Sequence, residues 1–137
     1  MSILVDTSVW SLALRRDRSP EPEVHLLESS LARGDIVITT GLILQELLQG
    51  FHGPKSKDEV IRSFSLLPVI TPDLDDHIEA AGLRNSCRRK GIQVGTIDAL
   101  IAQLCIRHGL QLLTTDEDFR HMAKHTSLSL LTSNPPA

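Results

Sequence analysis

Hydrophobic residues in this chain fall into short continuous runs and longer stretches with helical spacing. The short runs predict strands buried on both faces, and they lie at residues 3–5, 36–38, 68–70, 110–113 and 128–131. Apolar positions three or four apart predict helices over 9–14, 23–33, 42–49, 57–66, 73–90, 97–107 and 117–125. This alternation predicts an α/β fold in which helices cover both faces of a parallel sheet of four to five strands.

Turn-forming residues refine the ends of these elements. Residues 15–22 are polar and carry two prolines, so they are predicted to form a loop. Thr7 or Ser8 is the expected cap of the first helix. Pro68 lacks a backbone N–H, which makes residues 68–70 the weakest of the predicted strands. On the helix over 73–90, the residues expected to face inward are Ile78, Ala81 and Leu83.

Composition narrows the class of protein. The 137 residues fit one domain over 1–132, and residues 133–137 are predicted to be a disordered tail. Three Phe, one Trp and no Tyr predict an aliphatic core and disfavour a base-stacking platform. Cys87 and Cys105 are expected to be free buried thiols. No apolar run is long enough to span a membrane, and we expect a cytoplasmic protein.

Four acidic residues lie at the ends of predicted apolar elements, which is a costly place for a carboxylate. They are Asp6, Glu46, Asp98 and Asp116. Because the carboxyl ends of parallel strands share one edge of the sheet, these side chains could meet there. Clustered carboxylates repel one another unless a cation joins them, and ligand sets made only of oxygen favour Mg²⁺ or Mn²⁺.

Each acid also has a purely structural interpretation. Asp98 could be a helix-start charge, Glu46 a solvated helix residue, and Asp6 part of an Asx-turn. Asp116 is equally suited to cap the helix that follows it. Only the four together, with apolar neighbours around three of them, favour a metal site.

Four segments resemble the PIN-domain family, especially its VapC-type toxin ribonucleases. These segments are 4–10 (Leu-Val-Asp-Thr-Ser-Val-Trp), 44–50 (Leu-Gln-Glu-Leu-Leu-Gln-Gly), 96–102 (Thr-Ile-Asp-Ala-Leu-Ile-Ala) and 112–119 (Leu-Leu-Thr-Thr-Asp-Glu-Asp-Phe). They occur in the family's order and span nearly the whole chain.

The resemblance implies a PIN-like three-layer α/β/α fold and Mg²⁺-dependent RNA cleavage, with Mn²⁺ as the other candidate ion. It implies that Asp6, Glu46, Asp98 and Asp116 form the catalytic, metal-binding centre, with Asp118 able to share or take over the outer metal contact. The hydroxyls of Thr7 and Thr96 match small hydroxyl residues near that site. RNA, a cognate antitoxin and a second copy of the chain are the expected partners.

Other residues leave alternatives open. Two basic groups could contact RNA or be ordinary solvated charge; they are Arg15, Arg16 and Arg18, and Arg84, Arg88, Arg89 and Lys90. His121 and His125 have zinc-ligand spacing, although surface histidines are the expected interpretation. Five apolar residues, Trp10, Leu14, Leu47, Leu48 and Phe51, could be core or could line a groove for an amphipathic partner.

Two other functions compete with the toxin ribonuclease. A non-catalytic PIN-like module could bind RNA or protein with the same fold. A phosphatase of the haloacid-dehalogenase type also begins with an aspartate at a strand end. That family requires a second aspartate two residues later, where this chain has Ser8.

Overall fold

A four-stranded parallel sheet lies at the centre of this computed structural model. The structure describes residues 1–15, 21–50 and 54–132, with only the backbone described at 54 and 55. The strands are β1 (Ser2–Val5), β2 (Ile36–Ile38), β3 (Gln111–Leu113) and β4 (Ser129–Leu130). Their order across the sheet is β2-β1-β3-β4, and every neighbouring pair is parallel. The predicted α/β class and the parallel sheet are confirmed.

Helices connect and flank these strands. They are α1 (Thr7–Ala13), α2 (Pro22–Arg33), α3 (Gly41–Gln49), α4 (Pro54–Phe64), α5 (Leu74–Arg89), α6 (Thr96–His108) and α7 (Glu117–Ala123). Each corresponds to a helix predicted from apolar spacing, with ends that shift by a few residues. Pro22 was predicted to end a loop, but it occupies the first turn of α2, where its missing N–H costs nothing.

The core is aliphatic, as the scarcity of aromatic residues predicts. Ile3, Leu4 and Val5 are completely buried on β1, and α6 is buried over nearly its whole circumference. Trp10 and Leu47 also belong to this core, so neither is free to line a partner groove. Leu14 and Leu48 pack against it partly buried. Phe51 lies outside the described residues.

The prediction of a strand at residues 68–70 is wrong. Residues 68–70 form a single parallel bridge, between Thr39 and Val69. The Thr39 N–H donates to the Pro68 carbonyl at 3.0 Å, and the Ile70 N–H donates to the Thr39 carbonyl at 2.9 Å. Pro68 has no N–H to extend the ladder in the other direction, so the pairing stops there.

The predicted inward face of α5 is wrong at Ile78 and Ala81, whereas Leu83 packs partly buried against the core. Ile78 is 59% exposed and Ala81 is exposed, whereas Asp76, Ala80 and Cys87 are buried. The helix is turned this way because Asp76 forms a two-pronged ion pair with Arg107 of α6. The Arg107 Nε and Nη2 atoms each donate to one Asp76 oxygen at 2.7 Å.

Three smaller expectations have definite outcomes. The residue that precedes α1 in the capping position is Asp6 rather than Thr7 or Ser8, because both hydroxyls hydrogen-bond to carboxylates instead. Cys87 and Cys105 are free and buried. Within the described ranges, no helix combines the length and the apolar character needed to span a membrane. The tail 133–137 lies outside the described residues.

Candidate active site

The direction of the chain connections reverses between β1 and β3, which is where open α/β sheets bind ligands. From β1 the chain moves to β2 on one side, and β3 then lies on the other side of β1. Asp6 follows β1 directly, and its N–H donates to the Leu113 carbonyl at 2.9 Å. Residues 114–116 follow β3 at the same edge. The strand order therefore brings two of the four predicted acids to one crevice.

Two hydroxyl groups fix the buried carboxylate of Asp6. Ser8 Oγ and Thr114 Oγ1 each donate to Asp6 Oδ2 at 2.8 Å. These hydroxyls are held in turn by backbone donors, since the Thr115 N–H contacts Ser8 Oγ at 3.1 Å and the Asp116 N–H contacts Thr114 Oγ1 at 3.0 Å. Asp6 is only 6% exposed, so this network compensates part of the cost of burying its charge.

Three aspartates meet beside Asp6 at the starts of two helices. Asp98 lies in the first turn of α6, Asp116 caps α7, and Asp118 lies in the first turn of α7. One carboxylate oxygen of each lies within 4.8 Å of the others. Asp116 Oδ1 also accepts from the Asp118 N–H at 2.9 Å. The capping interpretation of Asp116 is therefore correct, and the same carboxylate also belongs to the cluster.

The charges of Glu46 and Asp6 also act on this group of aspartates. Burial raises the pKa of Asp98 to about 6, and the charges of Asp6, Asp116, Glu46 and Asp118 add to that rise. The pKa of Glu46 is raised by burial and by Asp6, while Thr7 Oγ1, a donor to Glu46 Oε1 at 3.4 Å, opposes the rise. We call Asp6, Glu46, Asp98, Asp116 and Asp118 the acidic cluster; the last three bring carboxylate oxygens within 4.8 Å of one another, and Asp6 and Glu46 act on Asp98 through their charge.

The acidic cluster fits a hard divalent cation. Its donors are carboxylate oxygens, which is the chemistry that Mg²⁺ and Mn²⁺ prefer. Within the described ranges, no Lys, Arg or His forms a salt bridge with any of the five. Their repulsion is therefore left for a cation to relieve.

The family model for the PIN domain matches residues 3–125. This chain belongs to the PIN-domain family. Ribonuclease VapC11 of Mycobacterium tuberculosis is 36% identical over 132 residues, covering 92% of this chain and 95% of the relative. The VapC ribonuclease of Mycobacterium bovis matches with the same identity and coverage. The haloacid-dehalogenase hypothesis is therefore wrong.

Solved structures show the same fold at lower identity. The VapBC2 complex of Rickettsia felis, bound to a promoter DNA fragment, has a TM-score of 0.73 and 21% identity, covering 96% of this chain and 98% of that one. VapC20 of Mycobacterium tuberculosis, a toxin that cleaves the sarcin–ricin loop, has a TM-score of 0.67 and 19% identity, covering 93% and 98%.

Two other groups considered from the sequence have different outcomes in this PIN domain. His121 and His125 are exposed and do not belong to the acidic cluster, in keeping with surface histidines. Of the basic residues on and after α5, Arg84 and Arg88 line a cavity that Asp118 also lines. Arg89 and Lys90 are exposed outside that cavity. Arg15 is exposed, and Arg16 and Arg18 lie outside the described residues.

The sequence did not single out Ser8 and Thr114 as site residues. Both hold Asp6 in place, and both follow a strand end closely. Hydroxyl residues just after the strands that flank the reversal point were the available signal. Ser8 bonds to Asp6 within one segment, but Thr114 reaches Asp6 across 108 residues and Ser8 across 106, so local sequence could not reveal the whole network.

Proposed function

We propose that this protein is a Mg²⁺-dependent endoribonuclease and the toxin of a type II toxin–antitoxin module. The observation that carries the proposal is the acidic cluster at the reversal point of the sheet. Membership in the PIN-domain family and the 36% identity to VapC ribonucleases support RNA phosphodiester hydrolysis as the reaction.

In this proposal Asp6, Asp98, Asp116 and Glu46 hold the ion, and Asp118 adds a further oxygen on the exposed side. A bound divalent ion would supply positive charge to stabilise the charge that develops on the scissile phosphate. The chain's own part is orientation. Ser8 and Thr114 fix the rotamer of Asp6, and Thr7 fixes Glu46.

An antitoxin is the proposed regulatory partner. Several solved structures with this fold are complexes of a VapC-type protein with its antitoxin, including one from Rickettsia felis. An acidic cleft without a cation of its own would also suit a basic side chain from such a partner. We further propose that the protein acts in the cytoplasm and forms a homodimer.

Metal removal and replacement tests the enzymatic proposal. Purified protein should lose RNA cleavage in EDTA and regain it with Mg²⁺ or Mn²⁺. Thermal unfolding followed in parallel should show a higher Tm with either ion, because an ion that binds only the folded state stabilises it. Full cleavage in EDTA would contradict the metal mechanism.

The partner is tested by asking whether a neighbouring reading frame encodes a small DNA-binding protein and by coexpressing that protein with this one. A stable complex that no longer cuts RNA is expected. RNA binding without cleavage under every ion condition would instead favour the non-catalytic PIN-like module.

A further inference from the structure

A cavity of about 480 Å³ opens beside the acidic cluster. It is lined by Arg84, Arg88, Ile92, Gln93, Val94, Gly95 and Asp118. That volume lies within the range of small-molecule sites and exceeds what an inorganic ion needs. The wall combines two guanidinium groups, a side-chain amide and apolar surface. These groups are chemically complementary to the anion, the hydroxyl groups and the carbon atoms of a sugar–phosphate unit.

Arg84 is held in a defined position on this wall. Its Nε donates to the Val94 carbonyl at 2.8 Å, which ties α5 to the segment leading into α6. An arginine anchored through Nε keeps its two terminal nitrogens available for an anion. Because the side chain is already ordered, binding a phosphate there loses less rotamer entropy.

Arg88 lies one helical turn after Arg84, on the same face of α5. Its Nη2 donates to Asn85 Oδ1 at 3.3 Å, an exposed and weak contact. Within the part of the chain that the structure describes, no carboxylate forms a salt bridge with either arginine. Two cations on one wall, neither neutralised by a pair, make a strong local anion site.

Asp118 connects this cavity to the acidic cluster. Its carboxylate lies within 4.8 Å of ligand oxygens on Asp98 and Asp116, and it also lines the arginine cavity. An RNA strand with its scissile phosphate at the acidic cluster would therefore continue past Asp118 into the cavity. Resting on the proposed ribonuclease function, we propose that the cavity is a nucleotide subsite where Arg84 and Arg88 hold the backbone phosphate next to the scissile one.

Arg89 serves as a control for Arg88 in RNA binding. It has the same charge, lies on the same helix directly after Arg88, and is exposed, but it does not line the cavity. If RNA bound to a diffuse positive surface, Arg88 and Arg89 would contribute equally to binding. If RNA bound in the cavity, Arg84 and Arg88 would contribute to binding and Arg89 would not.

The salt dependence of RNA binding separates these cases. The probe is a fluorescent single-stranded RNA of mixed sequence, bound to the full chain carrying Asp98→Asn to prevent cleavage, in a KCl series. Arg84→Ala and Arg88→Ala should each flatten the slope of log affinity against log salt by about 0.7, the value for one lost phosphate contact on a single strand. Arg89→Ala should leave the slope of the parent unchanged.

Arg84→Ala also removes the bond to Val94, so its Tm is measured alongside. If that variant unfolds, Arg88→Ala carries the test, since the Arg88 bond to Asn85 lies on the surface. Arg84→Lys should keep the slope while binding RNA more weakly, because an ammonium keeps the charge but cannot reproduce the guanidinium geometry.

Two results would overturn the subsite while leaving the ribonuclease proposal intact. One is a wild-type protein that cuts RNA while the slopes of Arg84→Ala and Arg88→Ala match the parent. The other is a slope that flattens equally in Arg89→Ala. A wild-type protein that neither binds nor cuts RNA would end both proposals.

Discussion

A buried or half-buried carboxylate lies near each end of helix α6, and the two carboxylates have opposite electrostatic surroundings. At the C-terminal end, Arg107 binds Asp76 of α5, which is completely buried. At the N-terminal end, Asp98 is surrounded by four other carboxylates. Burial raises the pKa of both groups, yet the Asp76 pKa is lowered overall because hydrogen bonds from Arg107 and from the Asp73 backbone outweigh burial.

The contrast separates an ion pair that stabilises the fold from a charge cluster that serves chemistry. The chain contains a cation in the right place at one end of α6. At the other end, the described residues provide none, and the Asp98 pKa rises to about 6. A carboxyl group whose pKa is raised by burial and by like charges in a cleft is a mark of a functional site.

Asp98→Asn should lower RNA cleavage by a factor on the order of 10²–10³, which is typical for loss of one preorganised electrostatic contact in an active site. The change keeps the shape of the side chain and removes one negative charge. In metal-free protein it relieves repulsion, so the Tm should not fall. The measurement is single-turnover cleavage with Mg²⁺, together with thermal unfolding in EDTA.

Glu79→Gln is the matched control for Asp98→Asn, because Glu79 is exposed on α5 and also loses one charge. It should cut RNA at the wild-type rate. Near-normal cleavage in Asp98→Asn would place the active site elsewhere. A Tm well below that of the wild type would show that Asp98 stabilises the fold.

Arg107→Ala should lower the Tm by roughly 10 °C, since it leaves the fully buried Asp76 carboxylate without its cation. Arg89→Ala removes the same charge from an exposed position and should leave the Tm nearly unchanged. Adding Asp76→Leu to an Arg107→Met background should recover stability, because an apolar pair removes the unpaired charge. A Tm for Arg107→Ala close to that of the wild type would mean that solvent compensates Asp76.

The two ends of α6 should respond to pH with opposite sign. The folded pKa of Asp76 is below its ordinary value of 3.8, so its stabilisation is present above that pH and is lost as pH falls through the lower folded pKa. The folded pKa of Asp98 is raised from 3.8 to about 6, so the protonated form is favoured by the fold. Its stabilisation is complete below 3.8 and disappears as pH rises through about 6.

Metal-free protein should show both effects as Tm differences of a few degrees, the smallest of the three expected changes. The Tm advantage of Asp98→Asn over wild type should grow as pH rises from about 4 to 7, across the interval between the two Asp98 pKa values. The Tm deficit of Arg107→Ala should stay constant over that interval and shrink at lower pH. Parallel curves for wild type and Asp98→Asn would mean that folding does not raise the pKa of Asp98.

The order and type of the elements follow from the amino-acid sequence alone. Apolar runs and helical spacing predicted seven helices and five strands, of which four form, because burial imposes those periods on any chain. The positions of Asp6, Glu46, Asp98 and Asp116 at the ends of apolar elements predicted a shared acidic cleft. Their assignment as the metal and catalytic residues remains a prediction.

Which side chains act together depends instead on how distant segments pack in the folded protein. The inward face of α5 depends on Arg107, 31 residues beyond Asp76. The hydroxyl of Thr114 reaches Asp6 across 108 residues, and Asp118 joins both the acidic cluster and the arginine cavity. Sequence patterns report which face of an element is apolar, whereas hydrogen bonds and charge repulsion depend on distances between segments. Those distances are set when the sheet forms and the helices pack.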